Sequence, residues 1–125
     1  MLLKKEYFIN LVGKDYPQRI RVKMIKTDPQ KNKKRDVKSF SVGYEIFYNN
    51  KWTIIARHCN YHESNRKEFH THNKYKLKIL GDLKRIIKQN KKKIPASQMR
   101  WAIRNLKLNY PRYLKDFLTK IVYNK

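Results

Sequence analysis

Alternation of apolar and polar residues predicts that the first half of the chain forms a β-sheet. Between residues 18 and 26 cations alternate with apolar residues, and from Phe40 to Tyr48 every second residue is apolar. A period of two places successive side chains on opposite faces of a strand. Two further segments, near residues 6–12 and 52–59, are also rich in apolar residues. The sequence therefore predicts a four-stranded antiparallel meander with strands near 6–12, 18–26, 38–48 and 52–59.

The last two predicted strands are joined by a turn at Asn49-Asn50-Lys51, because asparagine tolerates the left-handed backbone conformation. A three-residue loop would pair Tyr48 with Trp52 and keep the apolar residues of both strands on one face. In that register His58 lies opposite Val42. The inward residues of the returning strand would be Trp52, Ile54 and Ala56.

After His72 the apolar residues recur every three or four positions, which is typical of helices. The pattern predicts a helix over residues 74–90, a second that begins near Ser97 and a third that begins at Pro111. A sheet followed by helices predicts the α+β class, with three C-terminal helices packed on one sheet face. We expect a single domain over residues 1–125, comprising a β-meander (1–60), a histidine-rich loop (61–73) and a helical part (74–125).

A net charge of +23, from 32 Lys and Arg against 9 Asp and Glu, indicates a polyanionic partner, because such self-repulsion opposes a compact state. A hydrophobic content of 40% provides a core, which excludes a disordered basic tail. Nucleic acid is favoured over an anionic membrane, since no amphipathic helix is flanked by a lipidation signal. One cysteine and no apolar leader or membrane span predict a cytoplasmic protein.

The candidate nucleic-acid contacts are cations of the second strand, the polar loop 28–36 and later segments, with one asparagine. They are Arg19, Arg21, Lys23, Lys33, Lys34, Arg35, Asn60, Arg66, Lys67, Arg100 and Arg104. A solvated surface is the simpler interpretation of each cation taken alone. In a helix-turn-helix, Arg100 and Arg104 would be polar contacts on the recognition helix. The favoured alternative is that Trp101 packs where the helix meets the sheet.

All four histidines and the only cysteine fall within residues 57–73. Histidine titrates near neutral pH, so the cluster suggests proton transfer or metal ligation. His70 and His72 would point the same way on a strand, but no aspartate lies nearby and Cys59 would face away from His58. A transition metal therefore stays the alternative, and we expect no metal and no cofactor.

Metal-free RNA cleavage needs a base for the 2′-hydroxyl proton, an acid for the leaving oxygen and a cation for the phosphate charge. The candidate catalytic residues are His62, His70, His72 and Arg57. His62 with one of the other two histidines would be the acid–base pair, and Arg57 would hold the phosphate. Neighbouring aromatic residues would stack on unpaired bases, which favours RNA over DNA.

The segment from Phe40 to Asn73 resembles the TumE-type toxins of prokaryotic toxin–antitoxin pairs. The run from Arg57 to His62 resembles one family segment, and His70-Thr71-His72 resembles its H-x-H segment. The chain departs at Cys59, where the family usually has aspartate. The resemblance implies a small RNA-directed toxin with an acidic antitoxin as partner.

The leading hypothesis is thus a small metal-independent endoribonuclease of toxin type. The alternative is a non-enzymatic DNA- or RNA-binding protein, chromatin-like or a plasmid or viral accessory factor, that uses only its cationic surface. A third interpretation is an interaction protein whose basic face docks an acidic partner.

Overall fold

Five antiparallel strands form one sheet, and they lie side by side in the order of the chain. The structure is a computed structural model that describes residues 3–13, 15–27, 36–60, 69–90 and 93–122. The strands are β1 (Leu3–Leu11), β2 (Gln18–Lys26), β3 (Val37–Tyr48), β4 (Lys51–Cys59) and β5 (His70–His72). The predicted α+β meander is confirmed in its four long strands. The fifth lies within the segment predicted as a loop, because its three residues are too few to show a periodic pattern.

The hairpin between β3 and β4 has a two-residue turn, so the predicted three-residue loop is wrong. Asn49 and Asn50 have φ values of 53° and 65°, as in a type I′ turn, and Tyr48 pairs with Lys51. As a result Trp52 and Ile54, expected in the core, are 38% and 41% exposed.

A β-bulge at Ile55 restores the predicted register further along β4. Glu45 pairs with Ile54 and Tyr44 with Ala56, so Ile55 is the extra residue, and its side chain is buried. Beyond the bulge Val42 pairs with His58, as the sequence predicts. The bulge therefore sets which residues of the second half of β4 face the helices.

The helical part is divided differently from the prediction. Its helices are α1 (Lys78–Gly81), α2 (Lys84–Asn90), α3 (Pro95–Phe117) and a π-helical segment (Leu118–Val122). The helix predicted over 74–90 is interrupted after Gly81, where glycine is a poor helix former. The predicted start at Pro111 is wrong, since α3 continues through this exposed proline.

The long helix α3 packs on one face of the sheet and forms the core with it. The largest buried side chains include Phe40 and Tyr44 from β3, and Tyr113 and Phe117 from α3. Trp101 packs against His58 and Phe69, so its predicted place at the helix–sheet seam is confirmed. Among the described helices none is long and apolar enough to cross a membrane.

His58 is fully buried and joins three elements through hydrogen bonds. Its Nε2 lies 2.9 Å from Asn105 Oδ1 on α3, and its Nδ1 lies 2.6 Å from Thr71 Oγ1 on β5. The Tyr113 hydroxyl also donates to Asn105 Oδ1, at 2.7 Å. Because an amide oxygen only accepts, His58 carries its proton on Nε2 and accepts from the Thr71 hydroxyl on Nδ1. Burial lowers the pKa of His58 to about 4 and keeps it neutral.

We expect the protein to lose stability in mild acid because of His58. Its pKa is about 4 in the folded state and 6.5 for an unperturbed histidine, so between these values the unfolded chain binds more protons. The contribution is complete above pH 6.5, and the free energy of unfolding should fall by about 1.4 kcal/mol per pH unit towards pH 4. Urea denaturation across this range measures the slope. His58→Gln is the control, since an unchanged slope in that variant would contradict the assignment to His58.

Candidate functional site on the open face

The sheet face opposite α3 carries two rows of side chains that cross all five strands, and we call it the open face. The first row, called the Arg57 row, consists of Phe8, Arg21, Gly43, Arg57 and His72, each paired with the next across neighbouring strands. The second, called the Cys59 row, consists of Glu6, Lys23, Ser41, Cys59 and His70. At about 4.8 Å between strands, each row spans about 19 Å.

Carboxylates compensate only part of the positive charge on this face. Glu45 is buried and lies 2.7 Å from Arg19 Nε, and Glu6 lies 3.0 Å from an Arg21 terminal nitrogen. Within the described residues, no carboxylate oxygen lies within 4.0 Å of the Lys23 or Arg57 cation. Neither of these two charges is therefore compensated by a described carboxylate, so both are available to an anion.

Aromatic rings lie beside the cations at one end of the open face. The Arg19 guanidinium is 3.8 Å from the centre of the Trp52 ring and 4.3 Å from that of Phe8. This contact and its ion pair hold Arg19 in place, and the two rings stay partly exposed, Phe8 at 45%. The face thus offers apolar ring surface next to charge.

A groove of about 530 Å³ borders the Cys59 row. Its lining includes the cations of Lys4, Lys5, Lys23 and Arg57 and the hydroxyl groups of Ser39 and Ser41. This volume falls in the range of small-molecule sites. Cations and hydroxyl groups are donors that suit phosphate oxygens.

At the β5 end of both rows three side chains converge, and we call Cys59, His70 and His72 the Cys–His cluster. The Cys59 sulfur lies 3.0 Å from His70 Nε2 and 3.2 Å from His72 Nε2, and the two nitrogens are 2.8 Å apart. Arg57 reaches His72 Nε2 at 3.1 Å. Cys59 pairs with His70 across the strands, and His72 follows two residues later on the same face, so the ladder itself brings the cluster together.

The cluster supports two chemistries. Two imidazole nitrogens at 2.8 Å share one proton, with one as donor and the other as acceptor, which is a base–acid pair in contact. Alternatively, all three donor atoms lie within 4.8 Å of one another, close enough to ligate one metal ion.

The structure brings some of the sequence-predicted residues together and separates others. Arg21, Lys23, Arg57, His70 and His72 share the open face. Arg100 and Arg104 lie exposed on α3, on the other side of the sheet. One continuous α3 replaces the predicted second and third helices and carries both of these arginines. The predicted residues Lys33, Lys34, Arg35, His62, Arg66 and Lys67 lie outside the described residues.

Asn60, predicted to contact a phosphate, has a structural role instead. It is 2% exposed, its Oδ1 accepts from the Phe40 N–H at 2.7 Å, and its Nδ2 donates to the Lys38 carbonyl at 3.4 Å. These bonds extend the β3–β4 ladder beyond Cys59. Both polar atoms of the Asn60 side chain therefore already have hydrogen-bond partners within the protein.

Cys59 is the functional candidate that sequence reasoning set aside. It does face away from His58, as predicted, but that is the face on which both histidines of β5 lie. Its position one residue after His58 in an alternating strand, together with the H-x-H spacing, is the signal that identifies the cluster once β5 is known to pair with β4.

Comparison with known proteins assigns a family but no activity. The model of a family described as a domain of unknown function, DUF7718, matches residues 3–121, and the chain belongs to this family. No curated protein and no solved structure matches the chain.

Proposed function

We propose that this member of the DUF7718 family binds single-stranded RNA along the open face of its sheet. The observation that carries the proposal is the pair of side-chain rows that cross all five strands and present cations beside aromatic rings. Cations bind the phosphate backbone, and exposed rings stack on unpaired bases, which is the combination that single-strand binding uses.

Accessibility supports this face of the sheet over the opposite one. The open face holds the groove lined by Lys4, Lys23 and Arg57, whereas the other sheet face is covered by α3. With a net charge of +23, binding releases the counterions condensed on the nucleic acid, so affinity depends steeply on salt. RNA is favoured over duplex DNA because stacking requires bases that are not paired.

Replacing Lys23 and Arg57 together by glutamine should weaken binding of a single-stranded RNA. Each lost phosphate contact lowers the slope of log affinity against log salt by about 0.7, so the pair should lower it by about 1.4. Fluorescence anisotropy with a labelled RNA over a salt series measures both quantities.

The matched control for this experiment is Arg100→Gln with Arg104→Gln, which removes the same charge from exposed positions on α3. We expect that variant to keep the affinity and slope of the unaltered protein. An equal loss in both variants would show that total charge, rather than the open face, binds the RNA.

A second candidate function, RNA cleavage, is favoured by the position of Arg57, His70 and His72 on these same rows. In this proposal one imidazole removes the proton of a 2′-hydroxyl, which attacks the adjacent phosphorus. The other imidazole protonates the departing 5′-oxygen, and Arg57 stabilises the charge on the phosphate. The predicted partnership with His62 and the resemblance to TumE-type toxins, with an acidic antitoxin as partner, stay predictions.

We expect His70→Ala to abolish cleavage of labelled single-stranded RNA and to leave RNA affinity unchanged, because the cations of the open face remain. Gel analysis of the products, with anisotropy on the same samples, separates the two effects. Cleavage that persists in the variant would exclude this role for His70. Tight, salt-sensitive binding without cleavage by the unaltered protein would favour the non-enzymatic alternative.

A further inference from the structure

We propose that the Cys–His cluster is a binding site for one divalent transition-metal ion, with Zn²⁺ as its representative. Cys59 offers a sulfur, and His70 and His72 each offer an imidazole nitrogen, which are the donors that zinc prefers in proteins. The inference concerns the cluster alone and does not rest on the proposed binding of RNA.

The spacing of the donor atoms suits a tetrahedral ion. With zinc–nitrogen distances of about 2.0–2.1 Å and a zinc–sulfur distance of about 2.3 Å, neighbouring ligand atoms lie about 3.3–3.6 Å apart. The three separations in the cluster are 2.8, 3.0 and 3.2 Å. The rings therefore need to separate by only a few tenths of an ångström to admit an ion.

The backbone that carries the Cys–His cluster is fixed by strand pairing and by a hydrogen bond on the opposite face of the sheet. Cys59 and His70 are directly paired on β4 and β5, and Thr71 lies between the two histidines. The Thr71 hydroxyl is anchored on the other sheet face by its 2.6 Å hydrogen bond to His58. Ligands on paired strands with such an anchor lose little freedom when an ion binds, because the fold already orders them.

Binding of a metal ion requires the Arg57 side chain to move. A guanidinium only donates, so the 3.1 Å contact uses the lone pair of His72 Nε2. An ion takes that lone pair, and Arg57 must then move away. An ion with these three ligands alone keeps its fourth position for a water or an anionic oxygen, next to a cation able to hold that anion.

The test is a titration of metal-stripped protein with Co²⁺, followed by displacement with Zn²⁺. We expect one Co²⁺ per chain, with visible bands of a tetrahedral ion and a near-ultraviolet band from the thiolate. Cys59→Ser should lose the thiolate band, and His70→Ala and His72→Ala should each weaken binding by at least about tenfold. Arg100→Gln is the matched control, because it removes an exposed positive charge on α3 away from the cluster, and it should bind Co²⁺ as tightly as the unaltered protein.

The melting temperature with and without Zn²⁺ provides a second test for variants that are too unstable for the titration. At one Zn²⁺ concentration, Zn²⁺ should raise the melting temperature of the unaltered protein and of Arg100→Gln equally, and should raise that of His72→Ala less, since His72 is exposed and its loss disturbs little packing. The proposal is overturned by Co²⁺ binding to the unaltered protein without a thiolate band. It is equally overturned by Zn²⁺ stabilisation of undiminished size in His72→Ala, or by the absence of any bound Co²⁺ at millimolar concentration.

Discussion

The hydrogen bond between His58 and Asn105 is the constraint on which the candidate site depends. It crosses the interface between β4 and α3 in a fully buried position, where leaving either group without a partner would be costly. The other nitrogen of the same ring holds Thr71, the middle residue of a three-residue strand. A strand that short has little stability of its own, so the core determines where His70 and His72 stand on the opposite face.

The open face shows how a strongly basic chain keeps its cations close together. Glu45 is buried beneath the strand cations, pairs with Arg19 at 2.7 Å and lies 3.9 Å from Arg21, and the Arg19 guanidinium is covered by aromatic rings. With only 9 acidic residues in the chain, the placement of this one carboxylate matters more than its number suggests. Repulsion is relieved around Arg19 and Arg21, whereas no described carboxylate lies within 4.0 Å of the Lys23 or Arg57 cation, where an anionic partner would relieve it.

Much of the fold could be predicted because alternation is a local property of the sequence. The inward residues of β2 follow from it directly. The pairing of His58 with Val42 is predicted from a three-residue loop that does not form, and the bulge at Ile55 restores the same register. The strand β5 could not be predicted, because its three residues are held by pairing with β4 rather than by their own pattern. Nor could the bulge, since nothing around Ile55 marks it. The continuity of α3 through Pro111 is likewise a tertiary effect that overrides the preference of proline for a helix start.

The bulge at Ile55 shifts the alternation of side chains between the two sheet faces by one residue within the nine residues of β4. Before it, even-numbered side chains such as Trp52 lie on the open face, and beyond it odd-numbered ones such as Arg57 and Cys59 do. Because Ile55 is the extra residue, loss of its codon would remove the bulge and leave Arg57 and Cys59 on the open face, whereas pairing without the bulge at the present length would turn both towards the helices and His58 towards solvent. The hairpin itself would still form without the bulge. The site thus depends on the bulge itself, and a family member that keeps this spacing from Asn50 to Cys59 but pairs without the bulge would lose the site.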